Sequence, residues 1–182
     1  MILSDITILK MLAEKSLSVS PLEESQIQPA SIDVRLGDTF SIVEDSATGI
    51  LTLDREIRYK TIHTDTYLLL PGQFVLATTM ESLALPDNLT AFEEGRSSLG
   101  RLGPGFRGEI TLKLFNDNRC AIELKTGRRI GQLVFAELDT SALHPYNGKY
   151  QGQTGATGSK VFLDREAKEE TGDAVRDSAS LT

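Results

Sequence analysis

Ile110-Thr111-Leu112-Lys113-Leu114-Phe115-Asn116-Asp117-Asn118-Arg119-Cys120-Ala121-Ile122-Glu123-Leu124-Lys125-Thr126-Gly127-Arg128-Arg129-Ile130-Gly131-Gln132-Leu133-Val134-Phe135-Ala136-Glu137 is the stretch that decides the fold. It holds three short apolar runs, 110–115, 121–124 and 130–137, separated by Asn116-Asp117-Asn118 and by Thr126-Gly127. Runs this short, bounded by turn formers, read as strands, because a stable helix needs a longer 3.6-residue pattern. The rhythm continues toward the N-terminus in 31–36, 40–43, 67–70 and 74–79, punctuated by Gly37 and Pro71-Gly72. Many short strands with little helix predict a mainly β sandwich or barrel.

One helix is expected, over residues 4–15. Ser4 or Asp5 can cap it, and Ile8, Leu9, Leu12 and Ala13 recur on one face. Residues 17–20 alternate like a short strand that stops at Pro21, and 97–102 suit a short helical turn. From Asp164 onward the chain is rich in Glu, Lys, Asp, Ser and Thr and nearly devoid of large apolar groups. The expected organisation is one domain over 1–160 and a polar, flexible tail over 161–182.

Composition narrows the chemistry. The 182 residues suffice for one domain with its own core. A net charge of −7 argues against general nucleic-acid binding, which needs a basic face. No apolar run is long enough to span a bilayer, so no membrane partner is expected. The single Cys120 excludes an intrachain disulfide and points to a reducing cytoplasm. Two His and one Cys cannot supply the His/Cys/Cys or three-Cys ligands of a zinc nucleotide deaminase, so no zinc is expected. Deamination by this chain would need a carboxylate to activate water.

Two strings suggest phosphate. Gly95-Arg96-Ser97-Ser98-Leu99-Gly100-Arg101 offers two guanidinium forks and two hydroxyls. The same string also reads as a turn whose arginines pair with Glu93, Glu94 or Glu109, and spacing alone leaves the two readings even. Gly152-Gln153-Thr154-Gly155-Ala156-Thr157-Gly158-Ser159 can wrap an anion with backbone amides, although it lacks the Gly-Lys-Ser/Thr of a P-loop. Taken by itself it reads more simply as a linker. The preceding Tyr146 and Lys149 add a stacking ring and a cation, which favours the ligand reading. Asp33 and Arg35 share one strand face, where structural pairing is the simpler role. Gln132 is a polar group on a core strand and a candidate ligand contact. His63 and His144 show no ligand or triad spacing and receive no role.

Taken in order, these strings resemble the dCTP deaminase family of the dUTPase-like superfamily. The matching residues are Ser31-Ile32-Asp33-Val34-Arg35-Leu36-Gly37, Leu70-Pro71-Gly72 with Glu81-Ser82, 95–102, Pro104-Gly105-Phe106, 127–135 and 145–159, covering roughly 1–160. The resemblance implies a distorted jelly-roll or β-barrel with a short N-terminal helix, assembled as a homotrimer. It also implies Mg2+ bound with the triphosphate, and dCTP and dUTP as partners, with dTTP a further candidate. The implied reaction is dCTP plus water to dUTP plus ammonia, continuing in bifunctional members to dUMP and diphosphate. Carried over by motif, Arg96, Ser97, Ser98 and Arg101 contact phosphates, and Tyr146, Lys149 and Gln153 close a C-terminal lid.

The chain departs from that pattern twice. The family runs through a strand and loop before its Asp-Pro-Gly-Phe or Asp-Pro-Gly-Trp; here Gly103 meets Pro104 directly. The family strand ends Thr-Leu-Glu, the Glu acting on the attacking water, whereas this chain has Thr111-Leu112-Lys113. An ammonium has three donors and no acceptor for a proton. The alternative to an active deaminase is therefore a catalytically inert trimer that binds pyrimidine deoxynucleotides.

Overall fold

The computed structural model describes residues 1–44, 49–95 and 99–164, with the side chains of 99–101 outside that description. One helix, α1 (Asp5–Ala13), precedes a run of strands: β1 (Ser18–Ser20), β2 (Ile27–Gln28), β3 (Ser31–Val43), β4 (Tyr59–His63), β5 (Thr66–Leu69) and β6 (Phe74–Ala84). There follow β7 (Leu89–Gly95), β8 (Leu99–Leu102), β9 (Arg107–Phe115), β10 (Ile122–Lys125) and β11 (Arg129–Glu137). Single 3-10 turns lie at Glu24–Gln26 and Val161–Leu163. The chain divides into two compact units, Met1–Ile42 with Thr61–Thr157, and Val43–Lys60 with Gly158–Thr182.

In the first unit the strands run in the order β1-β6-β3-β11-β7-β8, with β9 antiparallel to the other edge of β6 and β2 beside β3. β10 and β5 form a separate antiparallel pair. β11 is flanked on both edges, by β3 and by β7, so its inward Leu133 and Phe135 are wholly buried. They pack with Ile8, Ile32, Val34, Phe40, Val75 and Ala77 in the core. Phe40 and Tyr67 stack with ring centroids 4.8 Å apart. Each such large apolar side chain contributes about 1.5–3 kcal/mol on burial.

The separate runs predicted at 31–36 and 40–43 are one strand. β3 continues through Gly37-Asp38-Thr39 with an irregularity in its pairing to β6 between Leu36 and Phe40. A Cβ at Gly37 would come within 2.7 Å of the Thr78 methyl, so this glycine permits close approach of strands rather than a break. On α1 only Ile8 is buried, while Leu9 and Ala13 are exposed.

The helical turn expected within 97–102 is corrected over Leu99–Leu102, which forms β8. It pairs antiparallel with β7, Leu102 opposite Ala91 and Arg101 opposite Phe92. The reason lies just downstream. Gly103-Pro104-Gly105-Phe106 is a tight turn closed by Phe106 N–H to Gly103 O at 3.1 Å, with Gly105 at φ +82°. Gly105 N–H donates to Pro86 O, and Pro104 O accepts from Tyr146 N–H. With the turn pinned so close, the preceding residues lie extended beside β7, where ladder partners are available.

In the second unit, Glu44 N–H donates to Arg58 O at 2.9 Å and Ser159 N–H donates to the Tyr59 hydroxyl at 3.2 Å. Gly158 lies so close to the Tyr59 ring that no side chain fits there.

Candidate active site

β9 presents two faces. Gly108, Ile110 and Leu112 point into the core, while Arg107, Glu109, Thr111, Lys113 and Phe115 lie on the opposite face. A cavity of about 690 Å³ opens beside Glu109, lined also by Thr39, Thr61, His63, Thr78 and Thr79. Its far wall is Thr154, Gly155 and Ala156 from the glycine-rich segment. A space of that size and polarity suits a small polar ligand.

Glu109 is half-buried and is engaged by several neutral donors and acceptors. Its Oε2 accepts the Gly155 N–H at 2.6 Å and the Thr78 hydroxyl at 3.3 Å. Its backbone N–H donates to Gln153 O at 2.9 Å, and its carbonyl accepts from Gln153 Nε2 at 2.7 Å. Thr111 Oγ1 then accepts the Thr157 N–H at 3.1 Å, and Ser41 Oγ donates to Ala156 O at 2.9 Å. Gly108 sits at φ +136°, where a Cβ would lie 2.8 Å from Gln153 O. Residues 151–157 thus form a strap along the edge of β9 that β6 leaves open.

The predicted residues fall in several places. Lys113 is on the Glu109 face of β9 but four residues farther along, exposed and outside the cavity lining. At ~3.3 Å per residue that separation exceeds 12 Å. Gln153 is in the strap. Tyr146 is packed against Phe106 with centroids 6.1 Å apart, and its hydroxyl accepts the Tyr150 N–H. Lys149 Nζ lies 5.7 Å from the centre of the Tyr150 ring. Arg96, Ser97 and Ser98 lie outside the described residues, as does the Arg101 side chain.

Gln132 lines a second, smaller cavity of about 380 Å³ with Asp33, Glu94, Gly95, Arg129 and Gly131. Its Oε1 accepts the Ser31 hydroxyl at 3.1 Å. Arg129 reaches Asp33 at 3.0 Å and Ser25 at 2.9 Å. This cavity adjoins Gly95, the residue that leads into Arg96. Beside it, burial pushes the Glu93 carboxyl above the usual range.

His63, Thr78 and Thr39 carry no local sequence pattern that marks them as a site. They converge only through tertiary structure, with His63 Nδ1 3.3 Å from the Thr39 hydroxyl. Glu109 had one legible signal, its place on the Lys113 face.

A family model described as dCTP deaminase-like matches residues 2–138. The "dCTP deaminase, dUMP-forming" of Sulfurihydrogenibium sp. (strain YO3AOP1) is 46% identical over 180 residues, covering 91% of this chain and 100% of that protein. That of Persephonella marina is 44% identical with the same coverages, and the "dCTP deaminase" of Haloarcula marismortui is 42% identical over 91% and 97%. Among solved structures, the 2'-deoxycytidine 5'-triphosphate deaminase of Agrobacterium tumefaciens superposes with a TM-score of 0.58 at 23% identity. That match takes in 74% of this chain and 47% of the other, and bears on the fold alone.

Proposed function

Since this chain belongs to the dCTP deaminase-like family, we propose that it takes dCTP with Mg2+ and derives from enzymes that convert it to dUTP and ammonia. The relatives named dUMP-forming extend the proposal to dUMP and diphosphate as final products. The observation that carries this reading is identity above 40% across the whole length of those relatives. Arg96, Ser97, Ser98 and Arg101 are the proposed phosphate grip, with Gln132, Tyr146, Lys149 and Gln153 as further nucleotide contacts. The acting species is a cytoplasmic homotrimer, which light scattering would test.

Magnesium fits as an ion carried by the nucleotide. Among the described residues no three His, Cys, Asp or Glu side chains converge on one point. Phosphate and water oxygens would then fill its octahedron, a donor set that Mg2+ favours. Bound there, it offsets phosphate charge beside an acidic chain.

The deamination step needs a group that takes a proton from water as it attacks the cytosine ring. Lys113, at the position of the family's Glu, offers no acceptor as an ammonium. Loss of general acid–base catalysis costs ~10²–10⁴ in rate. Exposure of Lys113 and the engagement of Glu109 by Gly155 and Thr78 favour a second reading, an inert trimer that holds pyrimidine deoxynucleotides.

Anion-exchange analysis of dCTP, and separately of dUTP, after incubation with protein and Mg2+ tests turnover, and calorimetric titration tests binding. The expected result is saturable dCTP binding with turnover far below that of the Sulfurihydrogenibium protein. Lys113→Glu should raise turnover without reaching that protein's rate, because the segment before Pro104 is still missing. Equal, fast turnover in both forms would overturn the assignment of Lys113, and absence of binding heat with dCTP, dUTP and dTTP would overturn the ligand.

A further inference from the structure

We infer that Glu109 is a positioning residue that seats the 151–157 strap on β9 and so builds one wall of the 690 Å³ cavity before any ligand arrives. The role of that cavity in nucleotide binding rests on the proposed function; the seating itself does not.

Three strap contacts meet Glu109, two on its backbone and one on its carboxylate. Gln153 brackets the Glu109 peptide, donating from Nε2 to its carbonyl and accepting from its N–H. One turn of chain later, Gly155 directs its N–H at the carboxylate, and Thr78 braces the same oxygen from β6. A carboxylate accepting a backbone N–H makes a charge-assisted bond, roughly twice as strong as its neutral equivalent. It also fixes an otherwise permissive glycine, Gly155 at φ +68°. Arg107 and Gly152 extend the seat, since Gly152 N–H donates to Arg107 O at 2.8 Å and Arg107 N–H to Gln151 Oε1 at 2.9 Å. Removing the carboxylate leaves the backbone bonds at 152–153 and the Ser41 and Thr111 bonds at Ala156 and Thr157, but frees the Gly155 N–H between them and so loosens the wall.

The geometry also commits Gln153. Its amide donates to Glu109 O, so a ligand that uses this side chain must draw it from β9 or take its remaining N–H or its Oε1. The strap therefore presents Thr154, Gly155 and Ala156 to the cavity, rather than Gln153 itself.

The test compares full-length wild type, Glu109→Ala and Glu109→Gln by amide hydrogen exchange without nucleotide, with thermal unfolding as a control and Mg2+–dCTP titration as a second readout. Expected is exchange at least tenfold faster at Gly155 and Thr157 in Glu109→Ala, unchanged amides in β3 and β11, and partial rescue by Glu109→Gln, which keeps an acceptor oxygen. Affinity for dCTP should fall severalfold in the alanine form, with the same partial rescue. Unchanged exchange at Gly155 and Thr157 in Glu109→Ala overturns the proposal, as does faster exchange spread evenly over the core strands. Local faster exchange with no dCTP binding in any form upholds the seat and overturns the ligand reading instead.

Discussion

Two glutamates on neighbouring strands, Glu81 of β6 and Glu109 of β9, are treated in opposite ways. Glu81 is almost wholly buried and faces a guanidinium: Arg35 Nε meets its Oε1 at 2.7 Å, and the Arg35 N–H meets Oε2 at 2.8 Å. Gln26, itself fully buried, donates to the same carboxylate at 2.9 Å, and Glu23 takes the outer side of Arg35. Glu81 in turn holds the Arg35 guanidinium above its ordinary value. The Glu109 carboxylate instead meets a backbone amide and a hydroxyl, and opens on a cavity. The lesson is that a carboxylate neutralised by a buried cation is scaffolding, whereas one held by neutral donors at a cavity wall is available to shape a site.

The largest expected effect comes from breaking the scaffold. Glu81→Ala leaves Arg35, with 13% of its side chain exposed, without its inner partner, and should cost about 3–5 kcal/mol in urea unfolding. Next is Gly108→Ala, which forces a side chain into left-handed backbone and against Gln153 O; a loss of about 1–3 kcal/mol is expected in the same assay. Glu109→Ala should cost only about 1 kcal/mol globally, because its donors can turn to water. Equal losses for Glu81→Ala and Glu109→Ala would break the contrast.

Glu93 sharpens it as a third case, a carboxylate whose burial makes it less acidic. Its folded-state pKa is raised by burial. As pH rises, the unfolded chain therefore releases this proton first, and stability is lost from the ordinary glutamate range near ~4.3 up through the raised value. Glu93→Gln should be more stable than wild type at pH 7, with the gain vanishing below about pH 4. Thermal melts at the two pH values decide it, and a constant difference would show that titration of Glu93 plays no part.

The strands of this fold are written in local pattern, and its site is not. Runs such as Ile130 to Phe135 announce a buried strand because apolar side chains need two walls to cover them. Gly37 misled in one respect: a glycine marks a turn or a close approach, and only Thr78 from β6 decides between them. The edge formed by Leu99–Leu102 depended on a turn pinned by Pro86 and Tyr146, far away in sequence. The same holds for Glu109, whose partner Gly155 lies 46 residues downstream. Lys113 was legible through resemblance alone, since no alternation pattern distinguishes a lysine from a glutamate on a strand's outer face.

The way the first residues are tied down carries a consequence for synthesis. Leu3 N–H donates to Phe135 O at 2.9 Å, Ile2 bridges Ala136, and Met1 is joined to Glu137 across a separation of 136 residues. At ~5–20 residues per second on the ribosome, residues 1–3 wait on the order of ten seconds for β11 to emerge. Until β11 emerges, the edges of β3 and, once it is made, β7 are open to other strands. Chaperone demand on this protein should accordingly peak late in translation and end abruptly once β11 clears the exit tunnel.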